Sequence, residues 1–131
     1  MKISDGFWLT KQGYNVSYAT QLYEMTADET SVTAYVTTQW IGNRGMTLGG
    51  PLLTVRFTST LENSIKVTIE QFSGALKPAP SFPLYEDGSF RPTVKKTDEG
   101  GYELISGKTS VRIGAQGGAW DVSYLYDGKL L

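Results

Sequence analysis

Acidic side chains are the first candidates for chemistry in this chain, because a pair of carboxylates can serve glycoside hydrolysis or general acid–base work. Thirteen Asp and Glu residues are present. Glu70 and Asp121 fall on the polar faces of alternating segments, and Asp28-Glu29, Glu86-Asp87 and Asp98-Glu99 fall in turn-like contexts. Nothing in their spacing brings two of them to a catalytic separation, so solvated or turn acids are the simpler reading. The chain has no histidine and no cysteine. That removes the usual general base of a Ser or Cys nucleophile, the commonest metal ligand, thiolate metal sites and disulfides. No catalytic residue, metal site or cofactor is assigned.

The run Gly42-Asn43-Arg44-Gly45-Met46-Thr47-Leu48-Gly49-Gly50 offers backbone of the kind that cradles phosphate. A phosphate loop also needs Lys-Ser or Lys-Thr and a following helix. Here Pro51 and an alternating segment follow, so a long inter-strand loop at one end of a sheet is expected, a common place for contacts to ligands or neighbouring domains. With many glycines and few anchoring apolar groups, this loop is expected to order only against a further domain. Of the three tryptophans, Trp120 is in phase with Val122 and reads as core. Trp8 reads as packing against a sheet. Trp40, directly before the glycine-rich run, is the one most open to a functional role.

The elements that must carry these residues have a period of two. Val32, Ala34 and Val36 alternate with Thr33, Tyr35 and Thr37. Leu53, Val55 and Phe57 do so with Thr54, Arg56 and Thr58, and Ile65, Val67 and Ile69 with Lys66, Thr68 and Glu70. Val111 and Ile113 form another such segment, as do Trp120, Val122, Tyr124 and Tyr126. Side chains of a strand point to opposite faces in turn, so these are half-buried strands. Turn signals separate them, and no segment of helical length carries an apolar stripe. The expected fold is all-β, an antiparallel β-sandwich, with residues 1–131 forming one such domain or its N-terminal part.

The net charge is −1, with no run of one sign. That argues against nucleic acid and against an anionic membrane surface as partners. No segment is long and apolar enough to span a bilayer as a helix, and a cytoplasmic protein is expected. The segment Phe72–Gly88 holds Pro78, Pro80 and Pro83. Proline cannot sit in a central strand, and Phe82, Leu84 and Tyr85 can pin the segment down, so a packed connector is favoured over a polyproline ligand. Asp127-Gly128 is a strong type I′ hairpin signal. Only Lys129, Leu130 and Leu131 follow it, which reads as a truncated domain whose last long strand lacks part of its partner and whose bared surface would self-associate into a homo-oligomer.

The segments MKISDG with Trp8, GGPLLTVRF from Gly49, IKVTIEQFSGAL from Ile65, PSFPL from Pro80, ISGKTSVRI from Ile105 and AWDVSYLYDG from Ala119 occur in order along the whole chain. Together they resemble the amino-terminal region of bacterial α-xylosidases of glycoside hydrolase family 31. The resemblance implies a galactose-mutarotase-like β-sandwich, followed in such enzymes by a (β/α) barrel that carries both catalytic aspartates. No position here corresponds to either, so the barrel is absent from this chain. The implied partner is a catalytic barrel of the same polypeptide. The implied rim of the substrate pocket is the Trp40–Gly50 loop, with Trp40, Asn43 and Arg44 as contacts to carbohydrate. The pattern leads one to expect a polar side chain just before Pro51, where this chain has Gly49-Gly50. The competing function is an independent carbohydrate-binding or structural interaction module.

Overall fold

The computed structural model describes residues 9–71 and 86–131. Trp8 and the MKISDG segment lie outside the described residues, as do all three prolines and the aromatics of the expected connector. Among the described residues nine strands form one antiparallel sheet: β1 Gln21–Ala27, β2 Val32–Thr37, β3 Leu52–Thr58, β4 Lys66–Glu70, β5 Thr93–Lys96, β6 Tyr102–Ser106, β7 Thr109–Gln116, β8 Ala119–Tyr126 and β9 Lys129–Leu130. The order across the sheet is β4-β3-β2-β1-β8-β7-β6-β5, with β9 paired to β8. A short 3-10 turn, Arg44–Leu48, is the one helical element among the described residues.

The sheet is folded onto itself. β3 and β6 stand five strands apart in the order, which in a flat sheet would separate them by about 24 Å. Instead the buried cluster unites Val32, Ala34 and Val36 of β2 and Val55 and Phe57 of β3 with Leu104 of β6 and Val111 and Ile113 of β7. Two layers therefore face each other, β1–β4 against β5–β8, giving the expected sandwich. The ladder between them is narrow. β1 meets β8 only at Gln21 and Ala119, flanked by Leu22 N–H to Gly118 O at 3.1 Å and Trp120 N–H to Thr20 O at 2.9 Å.

A second junction closes the far end. The β3–β4 turn docks on the β6–β7 hairpin through the Ser106 hydroxyl, which is wholly buried. Ser106 Oγ donates to Leu61 O (3.0 Å) and accepts from Ser64 N–H (3.3 Å). The Ser59 hydroxyl lies 2.9 Å from both Ser106 Oγ and Leu61 O. Asn63, held at a φ of 62°, accepts from Lys108 N–H at 2.7 Å and, through its carbonyl, from the Thr109 hydroxyl at 3.1 Å.

The alternation of β2, β3 and β7 is realised at its centre: Val32, Ala34, Val36, Val55, Phe57, Val111 and Ile113 are buried, while Leu53 is half-buried and Ser110, read as facing out, is buried as well. Two strands depart from it. β4 is an end strand of the sheet, and Val67 and Ile69 are exposed despite sharing a face with Phe57 and Val55. In β8, Trp120 and Val122 pack against the core, with the Trp120 ring centroid 6.3 Å from that of Phe57. Farther along, Tyr124 and Tyr126 are exposed and Leu125, in the opposite phase, is buried. β1 has left β8 by then, so the inner face is open, while on the outer face Leu125 pairs with Ser110 of β7 and Leu130 of β9.

The Asp127-Gly128 turn has positive φ at both residues, 51° and 75°, as a type I′ hairpin requires. β9 returns from it to pair with β8. The second side of β8 is paired only at Ala119, with β1, and at Leu125 and Tyr126, with β9; the end strands of the sheet are β4 and β5. No helix among the described residues is long and apolar enough to cross a membrane.

Candidate functional site

The Trp40–Gly50 loop leaves the sandwich between β2 and β3, and its shape follows from a few side-chain amides. Asn43 Oδ1 accepts from Gly45 N–H at 3.0 Å and so starts the 3-10 turn. Met46 O accepts from Gly49 N–H at 3.2 Å and from Gln39 Nε2 at 2.7 Å. Gln21 Oε1 of β1 accepts from Ile41 N–H at 2.7 Å. These bonds all lie within the chain, so the loop is shaped without a further domain, contrary to the sequence expectation.

The same geometry explains Gly49-Gly50, where a polar side chain had been expected. A Cβ on Gly49 would collide with the Gln39 amide, and one on Gly50 would come within 2.7 Å of Thr38 Oγ1. Both contacts are tighter than real side chains tolerate. The glycines let the loop return flat against the end of β2.

The three expected rim residues are distributed differently along this loop. Trp40 is 47% exposed. Its ring lies over the β7–β8 hairpin, where a Cβ on Gly118 would stand 3.3 Å from the ring edge. Asn43 spends its side-chain oxygen on the cap. Arg44 is exposed; its carbonyl accepts from the Thr47 hydroxyl at 2.8 Å, and its side chain pairs with no other described residue. The structure gives no shared pocket for the three.

A groove of about 630 Å³, not foreseen from residue spacing, lies beside the loop. Gln21 and Tyr23 of β1, Thr38 and Gln39 after β2, and Pro51 and Leu52 at the start of β3 line it. Tyr23 lies two residues from Gln21, on the strand face opposite Leu22, which packs against the core, and β1 has an irregularity between Leu22 and Glu24. A larger groove of about 680 Å³ crosses the outer face of β5–β8 and is lined by both signs of charge, including Lys95, Glu103, Arg112 and Asp121.

Four of the described carboxylates, Asp28, Glu86, Asp87 and Glu103, hold turns or pair with cations. Asp28 accepts from the Ser31 hydroxyl (2.7 Å) and from the N–H groups of Thr30 (2.8 Å) and Ser31 (2.7 Å). The Ser31 hydroxyl above all holds its pKa below the ordinary value. Asp87 is likewise lowered, chiefly by the Ser89 hydroxyl at 2.6 Å. Glu86 pairs with Lys66 at 3.0 Å. Glu103 accepts from Ser110 at 2.8 Å and stands 3.5 Å from Arg112. A general acid needs its pKa raised; the two shifted carboxylates move the other way. No group of three metal-ligating side chains occurs among the described residues.

No family model matches the chain. Over 72 residues it is 32% identical to the α-xylosidase XylQ of Lactiplantibacillus pentosus, a match covering 55% of this chain and 9% of that protein. Over 84 residues it is 27% identical to an α-xylosidase of Emericella nidulans, covering 64% of this chain and 11% of that protein. The chain thus matches about a tenth of the length of these curated relatives. This partial similarity supports an origin related to glycoside hydrolases for an antiparallel β domain.

Proposed function

We propose that this chain is the non-catalytic N-terminal β-sandwich, of galactose-mutarotase-like type, of a family 31 α-xylosidase. Its work is to dock a (β/α) barrel of the same polypeptide and to present the Trp40–Gly50 loop at the rim of the barrel's substrate pocket. The observation that carries the reading is the partial match to α-xylosidases from a bacterium and a fungus. The carboxyl pKa values of Asp28 and Asp87 are lowered, opposite to what a general acid needs, and this accords with a non-catalytic role. Trp40 and Arg44 are the residues of the loop free to meet sugar, and Asn43 acts through the shape it gives the turn. A cytoplasmic setting belongs to the same reading and rests on sequence alone.

Sequencing the gene across this segment tests the proposal. An open frame running on into a barrel is expected, and a stop codon directly after Leu131 refutes it. The chain alone is expected to leave aryl α-xylosides and α-glucosides uncleaved. Turnover that is lost on substituting one of its carboxylates would refute the non-catalytic role. The half-exposed Trp40 ring favours one second reading, a free carbohydrate-binding module, and a stop codon would leave that reading standing.

A further inference from the structure

We propose that the groove lined by Gln21, Tyr23, Thr38, Gln39 and Leu52 is a binding site for a neutral sugar unit, distinct from the Trp40–Arg44 rim. Its volume of about 630 Å³ is within the usual span for small-molecule sites, about 300–1,000 Å³. None of its lining side chains is charged, whereas the groove on β5–β8 carries several charges of each sign. An ionic ligand would find no counter-charge here.

The polar groups are fixed in direction. Each glutamine amide uses one end to hold the loop: Gln21 Oε1 accepts from Ile41 N–H, and Gln39 Nε2 donates to Met46 O. An amide has a donor end and an acceptor end. Gln21 therefore keeps its NH2 and Gln39 its carbonyl, and neither has another partner among the described residues. A donor and an acceptor, each anchored from behind, stand beside the Tyr23 ring, which is 72% exposed. A pyranose presents hydroxyls that both give and take hydrogen bonds, and C–H faces that pack on an aromatic ring. The match in polarity is to such a ring. Choosing a sugar among neutral ligands rests on the relation to glycoside hydrolases; the groove's lack of charge and its anchored amides do not.

The test is an NMR titration of the chain with methyl α-D-xyloside. Saturable shifts at Tyr23 and at the Gln39 side-chain amide are expected, with a dissociation constant of about 1–10 mM for a ligand of this size. Tyr23→Ala, at an exposed position whose loss leaves the fold intact, should weaken binding by about tenfold or more. Tyr23→Phe, which keeps the ring, should stay within about threefold. Loss of binding in Trp40→Ala but not in Tyr23→Ala would put the sugar on the rim, overturning this inference and leaving the proposed function untouched. Absence of saturation far above the expected range would also overturn it. Saturable binding together with a stop codon after Leu131 would keep the groove and sink the proposed function.

Discussion

Removing one hydroxyl should loosen the closed end of the sandwich. Ser106 is wholly buried, and its Oγ joins the β3–β4 turn to the β6–β7 hairpin by bonding Leu61 O, Ser64 N–H and Ser59 Oγ. In Ser106→Ala the Ser59 hydroxyl keeps a partner, because Leu61 O is already 2.9 Å away. Ser64 N–H keeps one too, because Leu61 O stands 3.3 Å from it. No group is left unpaired, so the expected loss is that of the hydrogen bonds themselves, about 0.5–1.5 kcal/mol. For a chain of this length that lowers the melting temperature by roughly 2–6 °C. Ser59→Ala should cost less, since Ser106 would still bond both Leu61 O and Ser64 N–H. The double variant should fall short of the sum by about 0.5 kcal/mol or more, as residues sharing one network do. Thermal melts followed by circular dichroism measure all three. A Ser106→Ala variant that melts with the parent, or one less damaged than Ser59→Ala, would refute the claim that this hydroxyl joins the layers.

Phe57→Ala should destabilise by about 3–5 kcal/mol, as deletion of a buried aromatic does, and Trp120 emission should shift to the red because that ring loses its neighbour; an unmoved emission maximum would contradict the packing. Gly49→Ala should push the Gln39 amide off Met46 O, which a changed side-chain amide resonance of Gln39 would report. Asp28 has its pKa lowered by folding, so its contribution is fully present above the ordinary aspartate value of 3.8 and is lost as pH falls through the folded value. The stability gap between the native chain and Asp28→Ala should therefore close as pH falls below about 4; a gap that widens toward acid would reverse the assignment.

The central strands were legible because their buried faces are unbroken. Val32-Ala34-Val36, Val55-Phe57 and Val111-Ile113 keep strict phase from sequence to core. β1, β5 and β6 were not singled out: Leu22 and Met25 straddle a bulge, and Thr93–Lys96 has only Val94 as an apolar residue facing inward. The phase of β8 misled at its end, since burial there is decided by where β1 departs and where β9 returns. For the candidate site, sequence located the Trp40–Gly50 loop but not its geometry. The glutamines that shape it, Gln21 and Gln39, lie outside the glycine-rich run, and their bonds to Ile41 and Met46 depend on the folded arrangement of β1 and β2. Asn43, expected at the rim, has a structural task that the sequence reading lacks: its side-chain oxygen caps the 3-10 turn.

The strand order has a consequence for how the chain reaches its native state. Seven of the eight strand pairings join neighbours along the sequence, and β1 with β8 is the single exception. Each layer is a meander that can zip up from its own hairpins, over loops that are short apart from the connection through Trp40–Gly50 between β2 and β3, and closure entropy grows only slowly with loop length. The late and slow event is then the meeting of two preassembled ribbons, when Phe57 first encounters Trp120 and Ser106 first encounters Leu61. Severing the chain between β4 and β5 would cut none of the pairings. Two such pieces, supplied separately, should find each other in solution and rebuild the shared interior as a bimolecular reaction, at a rate that rises with their concentration.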